Sequence, residues 1–304
     1  MAAFCRRVGL GAKGRCARFF AKGPDQPQVQ AAGLSQPRWA AGWHDMLQYH
    51  FFFEDMFVQA RVFLTPSVEE HSLWIFDHST QKVVELENCK ERMKQSEESH
   101  LEILGPRLQT FDGPGGGRIT HKDISIEFKN KNVFSWLPAG QSADAVIHRP
   151  DLELSMTYGG QKRQGRGYSK RYFGHYGPHW GYRFIQSSWL GGDKFLWTAD
   201  ATFRLGEGEA KYNYFKLLDG NSGELIQADS RDTYQQDSEA FATIDGRQYV
   251  AEISPLGEWM HDYKGGETNS RMQLRYCKIR LRSTAFAEPL EGYALNERCF
   301  GVLG

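Results

Sequence analysis

Ile75–Glu85 reads I-F-D-H-S-T-Q-K-V-V-E, and Leu217–Gln227 reads L-L-D-G-N-S-G-E-L-I-Q. The two blocks align without a gap at an offset of 142 residues. Each is a short apolar run, then Asp and three small or polar residues, then a second apolar run, the pattern of a β-hairpin. Two more pairs fall in the same order. Tyr49…Arg61-Val62-Phe63 is answered by Tyr182…Ala201-Thr202-Phe203. Gly167-Tyr168…Arg171-Tyr172-Phe173-Gly174 is answered by Gly292-Tyr293…Arg298-Cys299-Phe300-Gly301. Three echoes in one order point to two copies of one β-rich domain. The alternative is a single large β protein whose hairpins converge on one pattern.

Working outward, most segments read as strands. Gln48–Phe53, Phe57–Leu64, Ser72–Phe76 and Lys82–Leu86 open the first copy, after a lead-in at Trp39–Met46. Ile124, Ile126 and Phe128 alternate with polar neighbours, as in a half-buried strand. Ala145–Tyr158 reads as one or two strands broken near Pro150. Asn88–Leu104 is charged and irregular and fits a helix or a loop insert, and Phe111–Gly117 reads as a turn. In the second copy the strands are Tyr182–Trp189, Phe195–Phe203, Tyr212–Leu218, Glu224–Ala228, Arg247–Ser254 and Met272–Arg282. In the last, Met272, Leu274 and Tyr276 alternate on one parity and Cys277, Ile279 and Leu281 on the other, a phase slip expected of a β-bulge. The expected fold is all-β, with little helix: two antiparallel barrels of roughly eight strands each.

Residues 1–22 differ in kind. They carry Arg6, Arg7, Lys13, Arg15, Arg18 and Lys22, and the first acid is Asp25. An acid-free basic leader resembles a mitochondrial presequence, with a cytoplasmic protein bearing a basic tail as the alternative. Pro24, Pro27, Gly33 and Pro37 then mark a linker. The expected organisation is presequence and linker over 1–38, barrel 1 over 39–174 and barrel 2 over 175–304. Without the leader, 31 basic residues face 37 acidic ones, a net of −6. Such a body is a poor generic partner for nucleic acid or anionic membranes. No window approaches the roughly 20 apolar residues of a membrane-spanning helix, so no integral membrane segment is expected. Cys5, Cys16, Cys89, Cys277 and Cys299 show no C-x-x-C spacing, which argues against a disulfide scaffold or structural zinc.

The densest segment is Gly159–Leu190. It sets Lys162, Arg163, Arg166, Lys170 and Arg171 beside Tyr168, Tyr172, Phe173, Tyr176, Trp180 and Tyr182. Basic and aromatic residues together can stack single-stranded nucleic acid, yet the acidic body opposes it. Such a segment also fits an exposed basic hairpin that docks a protein partner. The third reading is a pocket mouth where the two copies meet, with Arg166, Tyr168, Arg171, His175, His179, Trp180, Trp189 and Trp197 against a ligand.

At this segment the chain resembles the two-domain lipocalin-like family that includes the hydroxyneurosporene synthases (carotenoid hydratases) and related fungal cyclases. The resemblance rests on Gly165-Arg166-Gly167-Tyr168, the aromatic-Gly step Phe173-Gly174, and Trp189 and Trp197. Phe53-Glu54…Val58-Gln59-Ala60-Arg61-Val62-Phe63 adds a family-like opening, and coverage runs over most of residues 43–304. Lys170-Arg171-Tyr172-Phe173-Gly174 departs from the family's glycine-tyrosine, glutamate, tryptophan-glycine wording, so the resemblance implies the fold rather than shared chemistry. It implies two lipocalin-like barrels and a hydrophobic small-molecule ligand such as a fatty acid, an isoprenoid or another lipid.

His175-Tyr176-Gly177-Pro178-His179 suggests a metal pair only on a helix, which Gly177-Pro178 opposes, so no metal is expected. Gly113–Gly117 lacks the Gly-Lys-Ser/Thr of a phosphate loop, and no cofactor is expected. Asp77-His78 and His261-Asp262 both read as turn residues. A polyene hydratase or isomerase on the same scaffold would draw its acid and base from His175, His179, Tyr168, Glu54 or Asp55. The sequence leaves the ligand, any reaction and the oligomeric state open.

Overall fold

The computed structural model describes residues 43–64, 69–90, 94–96, 101–113, 115–136, 145–175, 179–205, 208–229, 233–235, 238–265 and 268–302. The expected presequence and linker over 1–38 lie outside the described residues. No helix occurs among the described residues. None is therefore long and apolar enough to cross a membrane.

The first sheet holds β1 (Trp43–Phe52), β2 (Met56–Leu64), β3 (Glu69–Asp77), β4 (Lys82–Cys89), β5 (Lys94–Ser96), β6 (Leu101–Leu104), β7 (Gln109–Gly113), β8 (Gly116–His121), β9 (Ile124–Trp136), β10 (Ala145–Tyr158) and β11 (Gln161–His175). The second holds β12 (His179–Leu190), β13 (Lys194–Leu205), β14 (Gly208–Asp219), β15 (Leu225–Asp229), β16 (Thr233–Gln235), β17 (Glu239–Ile244), β18 (Arg247–Gly265), β19 (Thr268–Ser283) and β20 (Leu290–Val302). Each sheet is an antiparallel meander whose last strand returns to pair with its first, β11 with β1 and β20 with β12. Each curls into a barrel left open after its fourth strand, between β4 and β5 and between β15 and β16. The architecture is two tandem antiparallel lipocalin-like barrels. Among the described residues they have 11 and 9 strands, not the roughly eight each expected.

The echoed sequences occupy equivalent places. The two hairpin blocks form the β3–β4 and β14–β15 turns. Asp77 Oδ1 accepts from the backbone N–H of Ser79 and Thr80 at 2.8 and 2.9 Å. Asp219 Oδ1 accepts from Asn221 and Ser222 at 3.0 and 3.4 Å. Four residues after each Asp the chain turns left-handed, at Gln81 (φ 55) and Gly223 (φ 71). A short side chain that accepts from its own turn is why Asp recurs there. The Gly-Tyr echo lies on the two closing strands. Tyr168 stands opposite His50, and Tyr293 opposite Trp189. A Cβ on Gly167 would meet His50 O at 2.9 Å, and one on Gly292 would meet Trp189 O at 1.9 Å. Only glycine lets the closing strand approach its partner so closely.

Each barrel buries its own interior. Leu47, Phe51, Val58, Leu73, Ile126, Phe128 and Leu154 fill barrel 1. Leu196, Phe215, Leu217, Ala251, Ile279 and Leu281 fill barrel 2. A third cluster is built from outer faces: Phe52, Phe57, Trp74 and Phe76 of barrel 1 pack on Met272, Leu274, Tyr276 and Leu295 of barrel 2. Full burial of each such side chain contributes about 1.5–3 kcal/mol. The sum rivals the net stability of a domain, so the barrels are not independent units.

That junction explains the phase slip in β19. Its first half buries its outer face against barrel 1 through Met272, Leu274 and Tyr276. Its second half buries its inner face through Cys277, Ile279 and Leu281. The expected bulge is not in this strand, which pairs with β20 without a shift; it lies on neighbouring β18, between Pro255 and Gly257. The described residues of the Asn88–Leu104 segment are not helical: they form the end of β4, β5 and β6, with Ile103 buried inside barrel 1. Most of the turn expected over Phe111–Gly117 is strand instead: β7 runs to Gly113, which pairs with Gly116 of β8. Pro150 sits in one continuous strand, at a register shift between Arg149 and Leu152 that absorbs its missing N–H. Asp77-His78 does lie in a turn, whereas His261-Asp262 lies inside β18.

Candidate functional site

Strand alternation sorts the expected site residues. On β11, Tyr168 shares the face of His50, which looks toward barrel 2. It is buried, with its ring 5.8 Å from Trp197 and 5.5 Å from His50. Trp189 is half-buried and touches both junction clusters. Arg166 projects on the same side, ion-paired to Asp151 and, at 3.2 Å, to Asp193, with its guanidinium 5.7 Å from the Phe195 ring. The fold thus brings Arg166, Tyr168, Trp189 and Trp197 together.

Arg171 does not join them. It stands opposite Leu47 and faces the interior of barrel 1. Residues an odd number apart in a strand point to opposite faces, so Tyr168 and Arg171 cannot line one mouth. Lys170 and Arg171 are both buried and take no part in an exposed basic surface, whereas Lys162 near the β10–β11 turn is exposed. His175 pairs with Trp43, His179 with Arg204 and Trp180 with Phe203. Their side chains lie outside the described residues. Glu54 and Asp55 are exposed at the β1–β2 turn, where Asp55 pairs with Arg163 at 2.9 Å, so neither reaches the Tyr168 cluster.

Beside that cluster is a group the sequence reading missed. Glu297 on β20 is buried at 1% exposure within the reach of three cationic or basic side chains of barrel 1. Its Oε1 lies 3.3 Å from Arg61 Nη2 and 3.6 Å from His50 Nε2, and its Oε2 lies 3.6 Å from Lys170 Nζ. Gln59 Nε2 donates to Glu297 at 3.4 Å and lies 3.2 Å from His50 Nε2. A carboxylate only accepts, which orients the Gln59 amide with its nitrogen toward both groups. His50 Nε2 is then an acceptor, and its proton sits on Nδ1. Arg61 also donates to Met272 Sδ at 2.7 Å and sits 5.8 Å from the Trp74 ring.

Burial opposes ionisation of Glu297, yet the charges of Lys170 and Arg61 outweigh it and hold the carboxyl at about 2. Burial lowers His50 below its ordinary value, against the pull of Glu297, and the ring is neutral. Lys170 is also lowered by burial, with Glu297 opposing. The site therefore sets two cations, one carboxylate and one neutral imidazole against the aromatic faces of Tyr168 and Trp197. In sequence these residues look like an outward polar face: Gln48 and His50 alternate with Tyr49 and Phe51, and Gln59 and Arg61 with Ala60 and Val62. Only the second barrel buries them.

A separate polar group lies inside barrel 1. Tyr49 Oη donates to Asp112 at 2.7 Å, and Arg149 Nη1 meets both Asp112 oxygens at 2.5 and 2.7 Å. His71 Nε2 is 2.9 Å from Thr110 Oγ1, and burial pushes its imidazole down to about 3. Each group has a partner from another strand, which ties the wall of the barrel together. Among the described residues no cluster of three or more His, Cys, Asp or Glu side chains is placed to hold a metal ion.

No protein-family profile matches the chain. No curated protein matches it in sequence. Solved structures do. CghA superposes with a TM-score of 0.63 at 9% identity, covering 96% of this chain and 98% of that one. Kievitone hydratase from Nectria haematococca gives 0.51 at 11%, covering 96% of each chain. An AttH candidate from Nitrosomonas europaea gives 0.57 at 13%, covering 92% of this chain and 98% of that one. The chain has the two-domain lipocalin-like fold. In this two-domain lipocalin-like protein the junction cluster draws on both barrels, His50, Gln59, Arg61 and Lys170 from the first and Glu297 from the second.

Proposed function

We propose that the protein binds an apolar small molecule at the junction of its barrels. Tyr168, Trp189 and Trp197 would contact the apolar body, and Arg61 and Lys170 would face a polar or anionic end. The observation that supports this reading most is the charged cluster itself. Taking Arg61, Lys170 and Glu297 out of water costs several kcal/mol per ion, and apolar residues at such a junction are often as stable or more so. Charges kept in a place better served by Leu or Phe mark a site with work to do.

Titration of the full chain with cis-parinaric acid, a fluorescent polyene carboxylate, tests the reading. Wild type is expected to bind in the micromolar range with quenching of tryptophan emission. Tyr168→Ala and Lys170→Met should each weaken binding at least tenfold. No binding by wild type overturns the proposal.

A second reading, addition of water to an apolar polyene, is favoured by the neutral His50 beside ionised Glu297 and by the likeness to kievitone hydratase. Lys170, its ammonium lowered by burial, would give a proton to a double bond, Glu297 would stabilise the cation so formed, and water would add to that cation and return a proton to the Lys170 amine. A polyene incubated with the protein would then gain one water, and Glu297→Gln would abolish that gain. We also propose that residues 1–22 direct the protein to mitochondria; a fusion of residues 1–38 to a fluorescent reporter that stays cytosolic would refute it.

A further inference from the structure

The interior of barrel 2 holds two buried polar side chains that the protein leaves unmet. On β20, Ala294 belongs to the barrel core and Leu295 to the junction, so by alternation Asn296 points into barrel 2 and Glu297 out of it. Asn296 is fully buried, and neither its amide oxygen nor its amide nitrogen has a hydrogen-bond partner. Turning the amide over changes nothing, because both ends are bare. Thr198 on β13 faces inward like Leu196, is 2% exposed, and its hydroxyl is also without a partner. Asn296 and Thr198 stand opposite Gln186 of β12, one from either side. They therefore lie at one level of the barrel, about 9.5 Å apart at the backbone. Arg275, opposite Asn296 on β19, gives it no hydrogen bond.

The repeat sharpens the contrast. Four residues beyond the closing glycine, Asn296 answers Arg171 of barrel 1. In barrel 1 the interior polar groups Tyr49, Asp112 and Arg149 bond one another. Barrel 2 keeps a polar residue at the matching place and supplies no such partner. Its wall is also thinner. Five of the fifteen buried residues that fill barrel 2 are alanines, against one of twenty in barrel 1. Ala294 is the inward neighbour of Asn296 on its own strand, and Ala228 pairs with Phe215, which pairs with Thr198. The Phe215 ring stands 5.9 Å from that of Tyr249. Folded proteins rarely leave a buried amide bare, because an unmet donor or acceptor costs its full desolvation.

We propose that the interior of barrel 2 is a second ligand site, which takes a compact apolar molecule bearing a neutral hydroxyl. A hydroxyl both donates and accepts, so it answers the amide oxygen and the amide nitrogen of Asn296. A carboxylate only accepts and would leave Oδ1 bare; an ammonium only donates and would leave Nδ2 bare. Thr198 extends the polar strip, and Phe215, Tyr249, Ala228 and Ala294 pack the apolar body. The seam between β15 and β16, which exchange no ladder hydrogen bonds, borders the site through Ala228.

This inference goes beyond the junction reading and does not rest on it, since Asn296 and Glu297 face opposite sides of β20. The test is calorimetric titration of the full chain with 2-naphthol and with 2-methylnaphthalene, which has the same shape and lacks the hydroxyl. 2-Naphthol is expected to bind saturably and at least tenfold more tightly than 2-methylnaphthalene. Asn296→Leu should weaken 2-naphthol at least tenfold and leave cis-parinaric acid binding and cooperative thermal unfolding in place. No saturable 2-naphthol binding, or equal affinity for the two probes, overturns the inference and leaves water as the partner of the amide; this comparison uses wild type alone and holds even if the variant fails to fold. Unchanged 2-naphthol affinity in Asn296→Leu overturns it as well. Asn296-dependent 2-naphthol binding without cis-parinaric acid binding would support the barrel 2 site and refute the junction reading. The opposite pattern would do the reverse.

Discussion

The Trp74 indole N–H of barrel 1 donates to the Tyr276 hydroxyl of barrel 2 at 2.6 Å, with both side chains fully buried. Tyr276 also stacks flat on Phe76 at 4.5 Å. Tyr276→Phe keeps the stacking and removes only the acceptor. We expect a loss of about 1–3 kcal/mol, the penalty for a buried donor stripped of its partner. Adding Trp74→Phe should cost less than the sum of the single changes. Urea unfolding of the four proteins checks this, and wild type should unfold both barrels in one transition.

Glu297→Gln takes away the carboxylate facing Arg61 and Lys170. It should destabilise the protein by about 3–5 kcal/mol, because two buried cations are left facing each other. Lys170→Met added to it should recover part of that loss. A neutral effect of Glu297→Gln alone would mean that the cluster is not ionised as described.

Stability should fall with acid in two overlapping windows. The His71 imidazole sits at about 3 in the folded protein, below its ordinary 6.5. The Glu297 carboxyl sits at about 2, below its ordinary 4.5. In both cases the unfolded chain binds the proton first. Stability present above pH 6.5 is lost as pH falls toward 3 through His71, and from 4.5 toward 2 through Glu297. Each slope reaches about 1.4 kcal/mol per pH unit. Urea midpoints of wild type and His71→Gln, measured from pH 7 to 4, should diverge, with the variant flatter between 6.5 and 4.5.

Gly292→Ala should be far more damaging than Gly167→Ala. The first would place Cβ at 1.9 Å from Trp189 O and 2.9 Å from the Leu190 Cα, so the β12–β20 ladder must part. The second meets His50 O and Phe51 Cδ1, each at 2.9 Å, a much shallower overlap. Thermal melts and soluble yield of the two variants should rank in that order.

Lys216→Met should raise stability at pH 7 by about 1–3 kcal/mol, since a desolvated amine is replaced by an apolar side chain of similar length. The lysine protein should close the gap as pH rises from 7 toward 10.5, where the unfolded chain still binds a proton that the folded one has released. Parallel urea midpoints for the two proteins across that range would refute this.

The repeat was legible because it is carried by local chemistry. Asp77 and Asp219 hold their turns through their own side chains, and Gly167 and Gly292 permit close approach at strand closure; neither needs a distant partner to leave a mark in sequence. Alternation likewise gave most strands. It failed over Asn88–Leu104, where β5 and β6 are too short for a period to show. It misled over Met272–Arg282, where the slip records two different neighbours rather than a bulge.

The candidate site was legible only in part. Tyr168, Trp189 and Trp197 drew notice by type and density, and they do meet. Arg171 was grouped with Tyr168 by nearness in sequence, and strand parity separates them. Glu297, His50, Arg61 and Lys170 carried no local signal, since polar residues at every second position read as a wet outer face. The sequence by itself determined two copies of an antiparallel meander, because turns and alternation are set within a few residues. Only the tertiary structure decided which outer faces are dry, because that depends on one barrel packing against the other across more than 200 residues of chain, as between Arg61 and Glu297.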